Sequence, residues 1–427
     1  MRLIYTLTLY LLTPVVIARL VWRGLRARAY WRRWPERFGL VSPVGHDSLW
    51  VHAVSVGEVQ AAAPLIERLL QAGPGLPLIV TTMTPTGSAH VRKLFGDKVV
   101  HCYVPYDLPG SVIRFLDRAR PRLALIMETE LWPNLFFYCH QRAIPVVVAN
   151  ARLSERSARG YRRFAALTRQ TLQQVSDIAA QASADADRLV GLGADALRVV
   201  VTGSIKFDIA VPKDKLAEAN ILRTDLGKDR PVWIAASTHE GEDEQVLEAH
   251  IMVSQRIPDA LLILVPRHPE RFERVAALSR KRGFQILSRS ERRFCDAETG
   301  IFIGDTMGEM PVYYGAADVA FVGGSLVPTG GHNPLEPAAL AVPVIVGPHV
   351  FNFADINRML LEADAERSVS NAVELADTVI QLLDDDELRA RIGRNGQQVI
   401  EQNRGALDKL LAVIGRHLDF PLIPTGN

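Results

Sequence analysis

The chain has 427 residues, of which 48% are hydrophobic and 22% are charged, and its formal net charge is +2. This length exceeds one ordinary core, so we expect two domains of about 200 residues each, and the composition excludes a disordered chain. The three cysteines, Cys102, Cys139 and Cys295, are widely spaced and form no CxxC pair. Their pattern argues against a disulfide framework or a zinc site and favours a reducing compartment.

The first predicted element is an apolar segment that overlaps a basic one. Residues 3–22 are nearly all apolar, and a helix of this length spans ~30 Å, the thickness of a bilayer core. Residues 1–37 carry eight basic residues and one acidic residue, a net charge of +7 that leaves −5 for the rest of the chain. This asymmetry favours contact with anionic lipid over nucleic-acid binding. We therefore predict a membrane anchor with a basic juxtamembrane segment over 1–37, and the positive-inside rule places the downstream chain on the cytoplasmic side.

Three alternatives stay open for this segment. Pro14 and Arg19 weaken a straight span, so the helix could instead be tilted and kinked or lie in the membrane interface. It could also be a buried helix of the first domain, although Trp22, Trp31 and Trp34 among the arginines favour a membrane boundary. A cleaved signal peptide fits less well, because the positive charge follows the apolar stretch and no small-residue cleavage site comes after it.

Beyond the anchor, apolar segments of strand length alternate with helical patterns. Such near-continuous apolar strands predict parallel sheets that helices cover on both faces. The predicted strands of the first half are 48–54, 77–83, 99–104, 123–127, 145–149, 177–181 and 198–202. Those of the second half are 231–236, 261–265, 284–287, 300–303, 319–323 and 343–347, and the region from about 371 is predicted to be helical.

This alternation predicts two doubly wound α/β domains. The first Rossmann-like domain covers 38–208 and the second covers 231–427. Residues 209–230, which are richer in charge and poorer in apolar residues, are interpreted as the linker. Ligands in such folds bind beyond the carboxyl ends of the strands, and we expect a cleft between the two domains. The polar loops that follow strands are therefore the candidate sites.

Loops of the first half carry the candidate catalytic groups. Glu58 begins the helix after the first strand, where it is either a general base or a carboxylate that the helix N-terminus stabilises. Glu128 and Glu130 follow the fourth strand and should point to opposite faces of an extended chain, so only one should face the cleft. The residues leave that choice open, and a structural ion pair is the alternative. Lys206, after the seventh strand, is either a partner for phosphate or carboxylate or a solvated surface charge.

The glycine-rich segment 323–339 is the most informative stretch of the second half. Glycine-rich backbone before a helix N-terminus predicts an anion site, because free N–H groups and the helix dipole point at the ligand. Glu336, in the first turn of that helix, could accept hydrogen bonds from ribose hydroxyls. A flexible surface loop with capping residues is the alternative. Polar loops also follow other predicted strands, at 237–244, 266–271 and 304–314.

Other nucleotide-site motifs are absent or weak in this sequence. No GxGxxG follows the first strand, which disfavours a dehydrogenase, and no GxxxxGK[ST] occurs, which disfavours a P-loop NTPase. Asp185, Ala186 and Asp187 form a DxD at a predicted helix start, and we interpret them as capping residues. No cluster of side chains demands a metal ion.

Ten motifs, in order over roughly residues 1–405, resemble the 3-deoxy-D-manno-octulosonate (Kdo) transferases. The resemblance implies a membrane-anchored enzyme of the GT-B fold, built from two Rossmann-like domains, that takes Kdo from CMP-Kdo. It implies inverting transfer to the 6′-hydroxyl of the lipid A precursor tetraacyldisaccharide 4′-phosphate (lipid IVA). The motifs are HAVSVGE, TTMTPTGS, METELWPN, NARLSERS, GSIKFD, STHEGE, LVPRHPER, GDTMGE, FVGGSL and GGHNPLEPAA.

The same resemblance implies roles for individual residues. Glu58 matches the proton acceptor, and Glu128 and Lys206 match groups that stabilise the transition state, so the resemblance favours Glu128 over Glu130. As partners it implies CMP-Kdo, lipid IVA and inner-membrane lipid. Because CMP is a good leaving group, we expect no metal or other cofactor, and the charge pattern predicts no nucleic-acid partner. The implied CMP-binding residues are Pro266, Arg267, Met307, Gly308, Glu309, Asn333, Pro334, Leu335 and Glu336.

Two other functions are compatible with these residues. Another GT-B nucleotide-sugar enzyme, such as a UDP-sugar transferase or an epimerase, would share the fold and the glycine-rich loop but would bind UDP. A membrane-tethered protein that binds a lipid or nucleotide without catalysis would keep its function when Glu58 is replaced by Gln.

Overall fold

The chain divides into two compact units in a computed structural model, which describes residues 1–209 and 211–422. One unit contains Met1–Asp208 and the segment from Arg404, and the other contains Ile209–Asn403. Residue 210 of the predicted linker and residues 423–427 of the predicted second domain lie outside the described residues, as does the side chain of Arg26.

The first unit is built on a seven-stranded parallel sheet with the strand order β3-β2-β1-β4-β5-β6-β7. Its strands are β1 (Ser48–His52), β2 (Leu78–Thr82), β3 (Val100–Tyr103), β4 (Pro121–Met127), β5 (Val146–Ala151), β6 (Asp177–Ala180) and β7 (Val199–Val201). Its helices up to residue 208 are α1 (Arg2–Arg26), α2 (Val56–Ala72), α3 (Pro85–Phe95), α4 (Pro109–Ala119), α5 (Pro133–Gln141), α6 (Glu155–Arg162), α7 (Ala165–Leu172) and α8 (Ser183–Gly191).

The central strands of this sheet are apolar throughout because both of their faces are buried. Leu49 and Val51 of β1 pack into one hydrophobic layer. Trp50 between them packs into the opposite layer, where its ring lies 4.8 Å from that of Phe115. A strand covered on both faces shows no polar alternation, which is why the sequence pattern was continuous.

The second unit repeats this plan with a seven-stranded parallel sheet of order β10-β11-β9-β8-β12-β13-β14. Its strands are β8 (Val232–Thr238), β9 (Leu261–Pro266), β10 (Gln285–Ser288), β11 (Thr299–Ile303), β12 (Val319–Val322), β13 (Val344–Val346) and β14 (Glu366–Ser368). Its helices are α9 (Lys213–Leu226), α10 (Asp243–Arg256), α11 (Phe272–Lys281), α12 (Met310–Gly315), α13 (Leu335–Ala339), α14 (Ala354–Glu362), α15 (Ala372–Asp384) and α16 (Asp386–Asn403).

Two parallel sheets covered by helices on both faces form a GT-B-like fold, which confirms the predicted fold class. All thirteen predicted strands are present, with ends within two residues of the prediction. The sequence pattern missed β14, because Glu366, Arg367 and Ser368 contain no apolar side chain.

The interpretation of 209–230 as a linker is wrong for most of that segment. It contains the helix α9, whose Ala219, Leu222 and Leu226 are buried in the core of the second unit. Arg223 also donates a hydrogen bond of 3.0 Å to Asp318 at the start of β12. Only three of the fourteen helix residues are buried, so the average composition of the segment concealed its apolar face.

The predicted second domain also ends too late. The last helix, α17 (Ala406–Gly415), packs into the core of the first unit together with α2. The Asp208 carboxylate accepts hydrogen bonds from the N–H groups of Gly405 and Leu407, at 2.7 and 2.6 Å, and so holds the start of this helix. An amphipathic pattern shows that a helix covers a core but not which core, so the sequence could not reveal this return.

Among the described residues, α1 is the helix long and apolar enough to cross a membrane, over Arg2–Leu25. Thr6, Leu20 and Gly24 lie on its covered side and are buried, whereas most of its large apolar side chains are exposed. This exposure does not fit the alternative of a buried core helix.

Candidate active site

Glu58 lies in the first turn of α2, just beyond the end of β1. The Ser55 hydroxyl caps the helix: it accepts the N–H of Glu58 at 3.4 Å and donates to Oε1 of the Glu58 carboxylate at 3.0 Å. The Val54 N–H donates to Oε2 at 2.8 Å. These bonds fix the carboxylate at the carboxyl edge of the sheet. A helix-start carboxylate makes similar bonds, so this geometry fits both interpretations of Glu58.

The electrostatic surroundings of Glu58 favour a proton acceptor. Burial raises the pKa of Glu58 to about 7, and the charges of Glu128 and Glu130 add to this rise. The hydrogen bonds from Val54 and Ser55 oppose it. A general base is most effective when its pKa lies near the working pH. Glu58 can therefore take a proton from a hydroxyl at neutral pH better than an ordinary glutamate can.

The two carboxylates after β4 both raise the pKa of Glu58. Glu128 has a φ of +57°, a left-handed conformation that is uncommon for residues other than glycine. Its N–H donates to the carbonyl of Ala149 at 2.9 Å, so the chain turns immediately after the strand. The expectation that only one of them faces the site assumed an extended chain, whereas the chain turns at Glu128.

Lys206 reaches the same edge from a single 3-10 turn, Ile205–Phe207, that follows β7. The buried Asn150 at the end of β5 holds this turn, because its side-chain oxygen accepts the N–H of Ile205 at 3.1 Å. The Nζ of Lys206 lies 3.5 Å from Oε1 of Glu128. The structure thus brings together Glu58, Glu128 and Lys206.

Sequence reasoning missed the role of Asn150 in this arrangement. Asn150 has a φ of +54°, and Asn is one of the few residues other than glycine that tolerate this conformation. An Asn directly after a predicted strand was therefore an available signal of a sharp turn.

In the second unit, Pro266 ends β9 and Arg267 extends beyond it. Pro266 is buried, Arg267 is exposed, and the N–H of Arg267 donates to the carbonyl of Thr238 at 3.0 Å. Burial lowers the pKa of His332 to about 3, and the positive charge of Arg267 lowers it further. Arg267 also opposes the rise in the pKa of Glu336. The predicted CMP-binding residues after β9 and β12 therefore lie close to one another.

The segment after β11 turns at Gly308, which has a φ of +88°. The carboxylate of Glu309 accepts two hydrogen bonds from Arg289, at 3.2 and 3.0 Å, and another from the hydroxyl of Thr306. These bonds to Arg289 hold the pKa of Glu309 below its ordinary value. The side chain of Met307 is exposed. The Glu309 carboxylate is thus already hydrogen-bonded to other side chains of the protein.

Asn333 and Glu336 form a local pair at the start of α13. The side-chain oxygen of Asn333 accepts the N–H of Leu335 at 3.2 Å, and its amide nitrogen donates to Oε1 of Glu336 at 3.3 Å. Burial raises the pKa of Glu336, and the Asn333 bond opposes that rise. The other Glu336 oxygen can accept a hydrogen bond from a ligand hydroxyl.

A carboxylate from another segment of the protein binds the backbone of the glycine-rich loop. Glu242 accepts hydrogen bonds from the N–H groups of Gly324, Ser325 and Leu326, at 2.7, 3.0 and 2.9 Å. These three N–H groups are therefore not free for an external anion, contrary to the expectation for this part of the segment 323–339. The two segments are more than eighty residues apart, and no local pattern predicted their pairing.

Two histidines beside this loop share one hydrogen bond. The Nε2 atoms of His239 and His332 lie 2.9 Å apart, and the two rings are stacked with centroids 5.1 Å apart. One of the two nitrogens must carry the proton, since a hydrogen bond needs one donor and one acceptor.

Asp185 has a structural role that differs from helix capping. Its buried carboxylate accepts the N–H of Leu153 at 2.9 Å and a hydrogen bond from Arg188 at 3.3 Å. It therefore holds the loop after β5 and does not cap α8. Among the residues that the structure describes, no group of three or more His, Cys, Asp or Glu side chains could hold a metal ion.

Comparison with known proteins adds evidence along the whole chain. The family model described as "3-Deoxy-D-manno-octulosonic-acid transferase (kdotransferase)" matches residues 32–209, and "Glycosyl transferases group 1" matches residues 293–399. A 3-deoxy-D-manno-octulosonic acid transferase of Haemophilus influenzae is 43% identical over 98% of this chain and 99% of its own length. The protein of the same name from Bordetella pertussis is 38% identical over 96% of this chain and 97% of its own.

A solved structure supports the fold independently of these sequences. The UDP-GlcNAc 2-epimerase from Neisseria meningitidis, bound to UDP-GlcNAc, superposes with a TM-score of 0.57 over 87% of this chain and all of that chain. The two sequences are only 13% identical, so this likeness shows the fold alone. The full-length relatives show more: this chain belongs to the 3-deoxy-D-manno-octulosonic acid transferase family and is a glycosyltransferase.

Proposed function

We propose that this protein transfers Kdo from CMP-Kdo to the 6′-hydroxyl of lipid IVA in the biosynthesis of the lipopolysaccharide core, with inversion at the anomeric carbon. The observation that carries the proposal is Glu58, a half-buried carboxylate with a pKa of about 7 beside Glu128 and within the same strand-end group as Lys206. The relatives' shared name supports Kdo as the sugar, and the motif resemblance supports the acceptor.

The ionised Glu58 carboxylate accepts the proton of the acceptor 6′-hydroxyl as that oxygen attacks C2 of Kdo. The bond between O6′ and C2 forms while the bond between C2 and the CMP phosphate breaks, and CMP leaves with the electron pair. Attack from the face opposite CMP inverts C2. A general base of this kind contributes about 10²–10⁴-fold, or roughly 3–5 kcal/mol.

Lys206 and Glu128 stabilise this transition state in the proposal. Kdo carries a carboxylate and CMP carries a phosphate, and the Lys206 ammonium can neutralise either group. The contact of 3.5 Å with Glu128 orients that ammonium. The negative charge of Glu128 also raises the pKa of Glu58 and makes it a stronger base.

The second unit binds the nucleotide in this proposal. The exposed Arg267 neutralises the CMP phosphate, and Glu336 accepts hydrogen bonds from the ribose hydroxyls. Since the Glu309 carboxylate is used by Arg289, the 307–309 segment contributes its backbone groups. The nine proposed CMP-binding residues are Pro266, Arg267, Met307, Gly308, Glu309, Asn333, Pro334, Leu335 and Glu336.

The protein works at the cytoplasmic face of the inner membrane in this proposal, and α1 lies in the interface. The N-terminal end of α1 is bound to the first unit. Arg2 and Thr6 both donate to the side-chain oxygen of Asn134, at 3.1 and 3.0 Å. The Tyr5 hydroxyl donates to the Asp107 carboxylate at 2.9 Å.

The last turns of α1 contact the segment that follows the helix, and that segment is bound to the same unit. Trp31 folds back and donates to the carbonyl of Val21 at 3.1 Å, and Arg33 donates to the carbonyl of His101 on β3 at 2.6 Å. A spanning helix has ~30 Å of hydrocarbon between its ends, so a water-soluble unit could not hold both of them. An interfacial helix keeps both sets of contacts and turns its exposed apolar face to the acyl chains.

The test of the proposed reaction is the formation of Kdo-modified lipid IVA, detected by mass spectrometry, with CMP-Kdo generated in situ. We expect product from the wild-type protein, and we expect CMP but not UDP to raise its thermal midpoint. Protection by UDP, with no Kdo product, would overturn the proposal in favour of a UDP-sugar transferase or an epimerase. Binding of CMP-Kdo and lipid IVA without any product would favour a non-catalytic binding protein.

A further inference from the structure

Glu242 is a fully buried carboxylate that joins two loops of the second unit. It lies just before α10, in the loop that follows β8, and 0% of it is exposed. Oε2 accepts the N–H groups of Gly324 and His239, at 2.7 and 3.1 Å. Oε1 accepts those of Ser325 and Leu326, at 3.0 and 2.9 Å. One side chain therefore satisfies four backbone donors.

The loop is shaped to receive this carboxylate. A Cβ atom on Gly323 would lie 2.9 Å from Oε2 of Glu242 and 2.8 Å from the carbonyl oxygen of Ala236. Any residue larger than glycine would therefore displace the Glu242 carboxylate. Gly324 has a φ of +69°, a left-handed conformation that glycine adopts without strain. The first glycine pair therefore brings the backbone close to Glu242.

A second set of bonds extends this arrangement towards the predicted donor residues. The hydroxyl of the buried Ser325 donates to the carbonyl of Val322 at 2.6 Å and accepts the N–H of Gly347 at 2.8 Å. The carbonyl groups of Gly324 and Gly323 accept the N–H groups of Gly331 and His332, at 2.7 and 3.2 Å. The backbone that Glu242 holds is therefore bonded directly to the residues before Asn333.

We propose that Glu242 is a positioning residue of the donor site: its carboxylate acts as a built-in anion that fixes the loop 323–326 and the backbone of His239. Through these contacts it sets the places of His332 and Asn333, which approach the nucleotide. The inference rests on the proposed transfer of Kdo from CMP-Kdo. It assigns the CMP phosphate to groups outside the 324–326 amides, because Glu242 already occupies them.

The chemistry of the four partners explains why a carboxylate is needed here. All four are N–H donors, and an ionised carboxylate is an acceptor-only group with about four lone-pair sites. Gln has an isosteric shape, but its NH₂ group would face two of these donors, which would then be buried without a partner. Removing the charge therefore displaces the loop even where the volume is kept.

The experiment compares Glu242→Gln with Glu240→Gln in the full-length protein. Glu240 lies on the same loop, is exposed and pairs with Arg274 at 2.8 Å on the surface, so it is a matched control. We expect Glu242→Gln to raise the KM for CMP-Kdo and the Kd for CMP by about tenfold or more, the effect of one lost buried hydrogen bond to a charge. The KM for lipid IVA and the parameters of Glu240→Gln should stay at wild-type values.

Chemical rescue separates positioning from general stability. Glu242→Ala should lose CMP affinity, and formate, a carboxylate small enough to enter the vacated space, should restore part of it without changing the KM for lipid IVA. CMP affinity of Glu242→Gln equal to wild type would overturn the inference. If these variants do not fold, Glu242→Asp, which keeps the charge, replaces them. Equal losses of affinity for CMP and for lipid IVA in Glu242→Asp would also overturn the inference. A wild-type protein that binds CMP but forms no Kdo product would instead contradict the proposed function.

Discussion

The Nζ of Lys206 lies 3.5 Å from Oε1 of Glu128, although the two residues are 78 positions apart in the sequence. The contact depends on two left-handed residues, Glu128 and Asn150, at neighbouring strand ends. The negative charge of Glu128 in turn raises the pKa of Glu58. The ammonium group, the orienting carboxylate and the base are therefore electrostatically coupled.

The first prediction concerns the pH dependence of the reaction. Since Glu58 has a pKa of about 7 and acts when ionised, kcat/KM should rise as the pH increases through about 7 and level off above it. Glu128→Gln removes a charge that raises this pKa, so the rising limb should move to lower pH while kcat falls. The measurement is kcat/KM for CMP-Kdo across this range. A rising limb that moves to higher pH in Glu128→Gln would contradict the electrostatic coupling of Glu128 to Glu58.

The second prediction concerns the turn that carries Lys206. Asn150→Gly keeps the left-handed backbone but removes the acceptor of the Ile205 N–H, and the loss of a buried bond should cost about 1–3 kcal/mol of unfolding free energy. Because Lys206 is displaced, kcat should fall more than the KM for CMP-Kdo rises. Denaturant unfolding and steady-state kinetics measure the two effects. Unchanged kcat with reduced stability would restrict Asn150 to a structural role.

The third prediction concerns Glu366 on the edge strand β14. It is 1% exposed, and among the described residues neither of its carboxylate oxygens has a hydrogen-bond partner. Burial raises its pKa to about 9, so the folded state keeps a proton that the unfolded state releases above its ordinary pKa. The contribution of Glu366 to stability should therefore be greatest at low pH and decrease as the pH rises towards 9, with a loss on the order of 3 kcal/mol by pH 7.

Glu366→Gln tests this sign, since the variant cannot ionise. Urea unfolding of the second unit at pH 6 and at pH 8 should show a smaller decrease for the variant than for the wild type. An equal decrease for the wild type and the variant would show that Glu366 is not buried in its protonated form.

The sequence predicted those features of the structure that depend on neighbouring residues, and it did not predict contacts between distant segments. Apolar runs located the strands because burial on both faces leaves a continuous pattern, and the glycine-rich segment 323–339 indicated an anion site. The carboxylate that binds this segment, Glu242, could not be predicted, because the two segments meet only when β8 and β12 pair. The left-handed turn at Glu128 was hidden for another reason: Glu rarely adopts it, so the residue type gave no signal.

The fourth prediction concerns the orientation of α1. If the helix lies in the interface, nitroxide labels at Leu3, Leu11 and Leu25 should all lie at a similar depth in vesicles that contain anionic lipid. Leu197, which is 91% exposed on the first unit, should be in water and serves as the control. Each label is attached to a single introduced cysteine, one variant at a time. Electron paramagnetic resonance then measures the depth of the label in the bilayer.

The background for these labels is Cys295→Ser, because Cys102 and Cys139 are buried and Cys295 is partly exposed. A helix that spans the bilayer would instead give a deep label at Leu11 between two shallow ones. That result would contradict the contacts of Arg2, Tyr5 and Thr6 with the first unit.

The most direct test of the central claim measures the single-turnover rate of Kdo transfer to lipid IVA for the wild type, Glu58→Gln and Glu67→Gln. Glu67 lies on the same helix, α2, and is exposed, so its replacement controls for changes to the helix. The account predicts a rate about 10²–10⁴-fold lower for Glu58→Gln, with CMP affinity preserved, and a wild-type rate for Glu67→Gln. A Glu58→Gln variant as fast as the wild type would contradict the account and leave Glu58 as a carboxylate that only stabilises the start of α2.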